Sequence, residues 1–511
     1  MMGSAQLSHK TDWQRLAPIS IIHFIFSSMI KFVHNALFLI PIVAINFTII
    51  KEQPLVILAA ALTLFTSIGL VNYFFYWFKV TTERIEIKHG IFKKSHIILP
   101  FERIQNIKLS QPFYYRISDY SCIELDTAGS AKQEAKIVAL KTSQAKQLRI
   151  TILENAQLKK AAEQKSQESE VQHCSATEII LNRRSLKDLV IHGVTNNRIW
   201  IFFLALGPFY NSISASSFQL LNSIGIDVET YFNLQNQAWW EIGLHLLSLT
   251  VLILVVFVLL SVLSAIFMFY QYTLSQSQDR YIRRSGWLTK YEVSMNLSRI
   301  QLMIMEQNWL NMLLGRANLS FEQNSSGAMS HNNSIGQMAS KLLIPSITAA
   351  ESFTLMKNTM PNQALDTQTF NAISKRFIWR GVLLIAVPIS VFLLAVLPTN
   401  GGYSYLISTS VLVLISALVA LRWQRWGYSV DGDYIYIRQG LFGINYYCFP
   451  IYKAQQVKFV QSIFMRASKL AALQVVLASG QQKIPYMPAD EVRAIVNDIL
   501  DRLVHDKRSW M

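Results

Sequence analysis

Two glutamines recur at fixed distances from a glycine in three parts of the chain. Fifteen residues beyond Gly90, Gly286 and Gly440 stand Gln105, Gln301 and Gln455, and twenty-one beyond stand Gln111, Gln307 and Gln461. A glutamine side chain donates and accepts hydrogen bonds at once. Such a set can tie strand backbones at a bend, the usual work of a buried polar group. It can also line a groove that receives an extended peptide edge-on. A second set is basic: Lys88, Lys93, Lys94, Arg103 and Lys108, then Arg280, Arg283, Arg284 and Lys290. Beside an anionic bilayer each such charge is attracted by ~1 kcal/mol. Lys93, Lys94, Arg103, Arg280, Arg283 and Arg284 are the candidates to face lipid, and the plainer reading is that they only mark the cytoplasmic side.

No catalytic pattern accompanies these residues. There is no G-x-S-x-G, H-E-x-x-H, Walker lysine loop or Rossmann glycine fingerprint. The three cysteines, Cys122, Cys174 and Cys448, contain no C-x-x-C, which argues against a disulfide framework, a zinc knuckle and an iron–sulfur site. Glu241 and His245, at i and i+4 near the outer end of an apolar run, form an ionisable pair of the kind that can hold a metal or a proton at membrane depth. They stand beside Trp239 and Trp240, where interfacial water solvates them. His173, Cys174 and His331 have no companion ligands in sequence. The sequence therefore predicts no catalytic residue, no metal and no cofactor.

These residues are positioned by a chain that is mostly apolar. It has 511 residues, of which 51% are hydrophobic and 15% charged, with a mean hydropathy of +0.27. A soluble domain carries about 25% charge. The net charge of +16 would suggest nucleic acid in a soluble protein. Here the apolar residues lie in long uncharged runs, so the membrane class comes first and nucleic acid is not expected. Nothing near the start reads as a cleaved signal. The runs are Phe32 to Ile50, Leu55 to Phe78, Ile199 to Ile226, Ile242 to Tyr270 (uncharged apart from His245), and Gly381 to Leu421 broken at Pro398–Gly402. A bilayer core of ~30 Å takes about 20 helical residues, so these are six spans in three hairpins. The hairpin loops carry only Lys51 among all Lys and Arg, which places both termini and the segments between hairpins in the cytoplasm.

Each hairpin is followed by alternating residues around the anchor glycine, such as Arg84-Ile85-Glu86-Ile87-Lys88 before Gly90, which read as strands. Each β segment closes on a helical pattern, clearest at Val492, Ile495, Val496, Ile499 and Leu503. The predicted organisation is an N-terminal cytoplasmic or interfacial segment 1–31, with an amphipathic surface helix, then hairpin 32–78 and module 79–158. A linker 159–183 follows, rich in Gln, Lys, Glu and Ser. Next come an interfacial helix and hairpin 184–270, and module 271–358 with a mobile loop 324–340. An interfacial segment and hairpin 372–426 and module 427–505 complete the chain.

A β module with one closing helix after a membrane hairpin resembles the bacterial pleckstrin-homology-like domain of DUF304-type multi-pass membrane proteins. The matching residues are Gly90, Pro100, Arg103-Ile104-Gln105 and Gln111-Pro112; Gly286 and Arg299-Ile300-Gln301; and Gly440, Pro450 and Gln455. Three units in one chain resemble the YdbT-like subgroup. The resemblance implies a membrane α + β fold, with each hairpin followed by a PH-like antiparallel module capped by a C-terminal helix. It implies a bacterial inner-membrane location, and as partner a small one-hairpin PH-like relative or a second copy, besides membrane lipids. Module two departs from the pattern with Asn296 in place of proline, and module three with Lys453-Ala454 in place of Arg-Ile. The function these observations imply is a non-enzymatic scaffold presenting three cytoplasmic modules to a partner protein or lipid headgroups. The alternative is a transporter or lipid-handling protein with a path between the hairpins.

Overall fold

The computed structural model describes residues 13–35, 53–81, 83–90, 94–127, 135–163, 178–196, 239–323, 341–397 and 402–505. Lys93, His173, Cys174, His331, most of the run 32–50, the run 199–226, most of the expected linker and all of the expected long loop lie outside these residues. Among the described residues the strands form four sheets. The first holds β1 (Gln14–Arg15), β2 (Trp77–Val80), β3 (Arg84–His89) and β4 (Ser95–Pro100). The second orders β7 (Ala135–Lys141), β6 (Tyr120–Thr127) and β5 (Ile104–Pro112) beside β11 (Thr289–Asn296), β10 (Arg280–Ser285), β9 (Thr273–Ser277) and β8 (Ile179–Arg183). The third repeats this with β14 (Lys341–Thr348), β13 (Arg316–Glu322) and β12 (Leu302–Gln307) beside β18 (Ile444–Pro450), β17 (Tyr434–Gln439), β16 (Gly427–Asp431) and β15 (Asn371–Ala372). The fourth is β19 (Gln456–Val460), β20 (Leu470–Leu477) and β21 (Gly480–Pro488).

Each module is thus two sheets, and the second sheet of one module is continuous with the first sheet of the next. The joins are β5 with β11 and β12 with β18, both antiparallel, and they share one register. Lys290 faces Gln111 at the first join, and Ile444 faces Gln307 at the second. In both, the fourth residue after one anchor glycine meets the twenty-first after the preceding one. The third sheet is consequently buried on both faces. Met303, Met305, Tyr436 and Cys448 enter the core of module two, while Leu302, Ile304, Ile435 and Phe449 enter the core of module three.

The repeat extends to backbone detail. Asp119, Gly315 and Lys469, each twenty-nine residues past its glycine, share a positive φ at the end of a one-turn helix. Ala139, Ser346 and Tyr486 share a positive φ in the last strand, opposite the register shift of its neighbour. Each module ends in a helix packed on its sheets: α4 (Thr142–Glu163), α8 (Ala349–Thr359) and α12 (Ala489–His505).

The remaining helices are α1 (Ser20–Asn35), α2 (Pro54–Phe74), α3 (Phe113–Arg116), α5 (Leu186–Thr195), α6 (Trp239–Phe269), α7 (Trp309–Leu313), α9 (Arg376–Val396, with a π-helical turn at Val382–Ala386), α10 (Tyr403–Arg425) and α11 (Ile463–Arg466). Among the described residues three segments are long and apolar enough to cross a membrane: Thr250–Phe269, Arg376–Val396 and Tyr403–Arg425. The segment expected to lie along the surface is helical from Ser20, runs across the expected boundary at 31, and packs along α2. Glycines let the helices meet closely at the sheet-facing end of each pair. A Cβ on Gly69 would stand 2.6 Å from Ile25, on Gly193 2.5 Å from Val262, and on Gly381 2.5 Å from Val419. Small residues serve this purpose where lipid-facing helices associate.

Short strands that precede the hairpins were not expected. β1, β8 and β15 pair with β2, β9 and β16, so in each case the chain leaves a sheet before a helical stretch and returns to the same sheet after it.

Candidate functional site

The strands run away from the spans and back. β2 starts three residues after α2 ends, and its Trp77 lies level with Lys88, while Pro100 lies level with Arg84. Lys94 is exposed at the near end of β4. Arg103, just past Pro100, sits at the far end. Arg280 likewise lies level with Asn296 and Ser277, four residues farther from the spans than Arg284. At ~3.3 Å per residue that is on the order of 13 Å. Arg283 is 4% exposed and donates to the Lys341 carbonyl, and burial pulls its guanidinium below the usual arginine range. Arg284 is held by Glu292 at 3.3 Å and by both carboxylate oxygens of Glu178. The five basic candidates among the described residues therefore do not form one surface. Those on the YIRR stretch looked alike in sequence because alternation cannot tell a core-facing arginine from a solvent-facing one.

The glutamines separate in the same way. Gln111 Nε2 donates to the Tyr120 carbonyl at 3.1 Å, and Gln461 Nε2 to the equivalent Leu470 carbonyl at 2.9 Å. Each ties the end of one strand to the start of the next across the one-turn helix. Gln301 and Gln455 start their strands by donating their backbone N–H to Glu322 and Val476. Gln105 and Gln307 lie at the start of β5 and the end of β12. Gln461→Ala would leave the Leu470 carbonyl without this donor. It is expected to lower stability by about 1 kcal/mol, measurable as a shift of the unfolding midpoint in detergent.

A cleft of about 640 Å³ opens at the seam between modules one and two, beside the C-terminal end of α6. Its walls come from β5, the start of α4, β8, and the turn from β10 to β11. Lys146, Arg183 and Lys290 are exposed along it and have no ion-pair partner among the described residues. Arg184 also lines it, but is buried and fully engaged with Asn182 at 2.6 Å, the Ser346 carbonyl at 3.2 Å and Glu351 at 2.7 Å. Among the described residues the one carboxylate on the wall, Glu292, is bridged by Arg149 of module one and Arg284 of module two. Burial pushes its carboxyl up, and the two guanidinium groups more than offset that, so it stays ionised below the ordinary glutamate range. Three uncommitted cations thus surround a cavity whose only anion is already neutralised, which favours an anionic ligand.

An apolar groove of about 370 Å³ runs beside the cleft, lined by Leu260, Leu263, Phe267 and Met268 of α6 and by Leu288. Tyr291 lines both spaces. The turn between them is anchored to the span: Gly286 N–H donates to the Tyr270 carbonyl at 2.9 Å, Trp287 N–H donates to the Phe267 carbonyl at 2.8 Å, and the Trp287 and Phe267 rings stack.

The same end of each module carries exposed apolar side chains on or just past its one-turn helix. Phe113 follows Pro112, which faces Thr289 near this turn. Ile117 is 93% exposed, Leu313 76%, and Phe464 88%. An apolar rim at the level where the spans emerge fits an interfacial face. Lys290 stood out in the sequence, but nothing there joins it to Lys146 and Arg183, because the cleft draws on four separate parts of the chain.

The family model described as Bacterial PH domain matches three times, at residues 35–156, 218–346 and 382–503. The chain is also similar to the UPF0699 transmembrane protein YdbT of Bacillus subtilis (strain 168). The two are 20% identical over 492 residues, covering 91% of this chain and 93% of the relative. No solved structure matches at a significant level.

Proposed function

This chain belongs to the bacterial PH domain family, and from that premise we propose that it is a non-enzymatic multi-pass membrane scaffold whose seam between modules one and two holds the headgroup of an anionic phospholipid. The six-span arrangement, with modules in the cytoplasm of a bacterial inner membrane, is part of this reading and is supported by the placement of Lys and Arg in the sequence. The observation that carries the lipid assignment is the meeting of a basic cleft and an apolar groove at Tyr291, at the end of a span. A phospholipid has this same division: a charged head and an apolar tail joined at the interface. The rim of Phe113, Ile117, Leu313 and Phe464 supports the same orientation. Tethering three modules by spans holds them at high effective concentration on one surface.

The test uses the full chain in a neutral detergent with short-chain phosphatidylglycerol or phosphatidylcholine, read by calorimetry. Phosphatidylglycerol is expected to bind more tightly. Neutralising Lys146, Arg183 and Lys290 together with glutamine removes about 3 kcal/mol at ~1 kcal/mol per charge, roughly a hundredfold in affinity. Neutralising Lys94 instead leaves binding unchanged. Equal affinity for the two lipids, or an unaffected triple variant, would sink the assignment.

A further inference from the structure

We propose that the two sheet edges left open at the ends of the module row, β4 and β19, pair with each other between copies of this chain. This inference is independent of the lipid cleft.

Every module brings two kinds of edge. One is the last strand of its first sheet: β4, β11 or β18. The other is the first strand of its second sheet: β5, β12 or β19. Within the chain, each edge of the first kind that has a preceding module is paired with that module's edge of the second kind. Among the described residues, β4 and β19 have no strand on their outer sides. They are the two halves of the join that the chain already makes twice.

The shared register fixes how they would meet. Repeating it sets Ser95 opposite Val460, His96 opposite Phe459, Ile97 opposite Lys458, and Ile98 opposite Val457. Exposure agrees. At the position of Ile98, the two internal joins bury Ser294 to 6% and Cys448 to 0%, whereas Ile98 is 47% exposed. At the position of Val457, Ile107 and Met303 are 1% and 0% exposed, whereas Val457 is partly open. An open edge with apolar side chains is a template for another strand, and main-chain pairing of this kind joins separate proteins elsewhere.

A second copy is the occupant the geometry favours, because one chain carries both complementary edges. The contact is head-to-tail, so it propagates until the rotation at each join closes a ring or leaves an arc. At both internal joins the long helix before the join, α6 or α10, ends level with the anchor-glycine turn. Repeating the same step therefore keeps all copies in one bilayer.

The test co-expresses two differently tagged full-length chains in their native membrane, both carrying Cys174→Ser. One carries Ser95→Cys and the other Val460→Cys. Cys122 and Cys448 are buried and stay silent. Mild oxidation is expected to give a mixed dimer bearing both tags, and each single variant alone to give none. A chain with both substitutions is expected to give a ladder. Adding Ile98→Lys, at a site exposed in one copy, is expected to abolish the bond while the chain remains folded in detergent. Absence of the mixed dimer, equal bonding by either variant alone, or bonding of the Ser95→Cys chain only to a different protein would overturn the proposal.

Discussion

A single methyl group added at Gly286 is expected to cost more than about 4 kcal/mol, while the same methyl at Gly315 costs about 1 kcal/mol. Both glycines have positive φ, +116° and +62°, so both substitutions meet backbone strain. The difference is space. A Cβ at Gly286 would stand 2.0 Å from the Thr289 carbonyl oxygen, whereas nothing lies within 4 Å of one at Gly315. Thr289 cannot yield easily, because it opens β11 and is paired across the seam with Pro112. The loss is therefore expected to reach beyond the turn. It would release the backbone bonds to Tyr270 and Phe267, part β11 from β5, and open the cleft. Unfolding midpoints of Gly286→Ala and Gly315→Ala in the same detergent would check this, with limited proteolysis reporting cleavage between modules one and two only in the first.

Lys453→Met is expected to remove a pH dependence that the wild-type chain possesses. Lys453 is 2% exposed and donates from Nζ to the carbonyls of Ser298 and Ile300, each at 2.6 Å, so it fastens module three to module two. Burial pulls its ammonium from 10.5 down to about 8, with Asp279 working weakly the other way. Between these two values the unfolded chain holds a proton that the folded chain has released. Stability therefore rises as pH goes from about 8 to 10.5, and below 8 the cost of burying the charge is fully present. The gain across the window is on the order of 3 kcal/mol. Neutral lysine still supplies the donors that both carbonyls need, whereas methionine supplies none. The stability gap between wild type and variant is thus expected to widen by that amount across the window. Tyr428 and Tyr436, whose burial raises their hydroxyls, bend both curves alike and cancel in the difference. A constant gap across the window would refute the buried-charge account.

The parts of this protein that its sequence revealed are those with local causes. Alternation around Gly90, Gly286 and Gly440 marked strands, and at Gly286 and Gly440 the turn leaves no room for a Cβ. The stripe Val492, Ile495, Ile499 marked α12 because one face must cover a sheet. What stayed hidden depends on partners far along the chain. Nothing local in Lys290-Tyr291-Glu292 says that Gln111-Ser110-Leu109 lies beside it, since an inner strand and an edge strand share one alternation. β1 and β15 have two residues each, too few for any period. Arg283 and Arg284 are neighbours of one type, yet one enters a core and the other bridges Glu178 and Glu292. That choice belongs to which face of the sheet is covered, and it is set by module two as a whole.

The strands that precede the hairpins carry a consequence for how the protein is made. β1 waits for β2, β8 for β9 and β15 for β16, and in each case the intervening chain is the hairpin. Moreover, β5 finds its neighbour only when β11 has been synthesised, a closure of long sequence separation and therefore slow. No sheet but the last can be finished until a later pair of helices has been threaded out and back. Maturation of the sheets is thereby a readout of successful insertion. A chain that fails to integrate one hairpin keeps raw edges on both of its neighbours, marked for degradation or aggregation before it can take its place in the row.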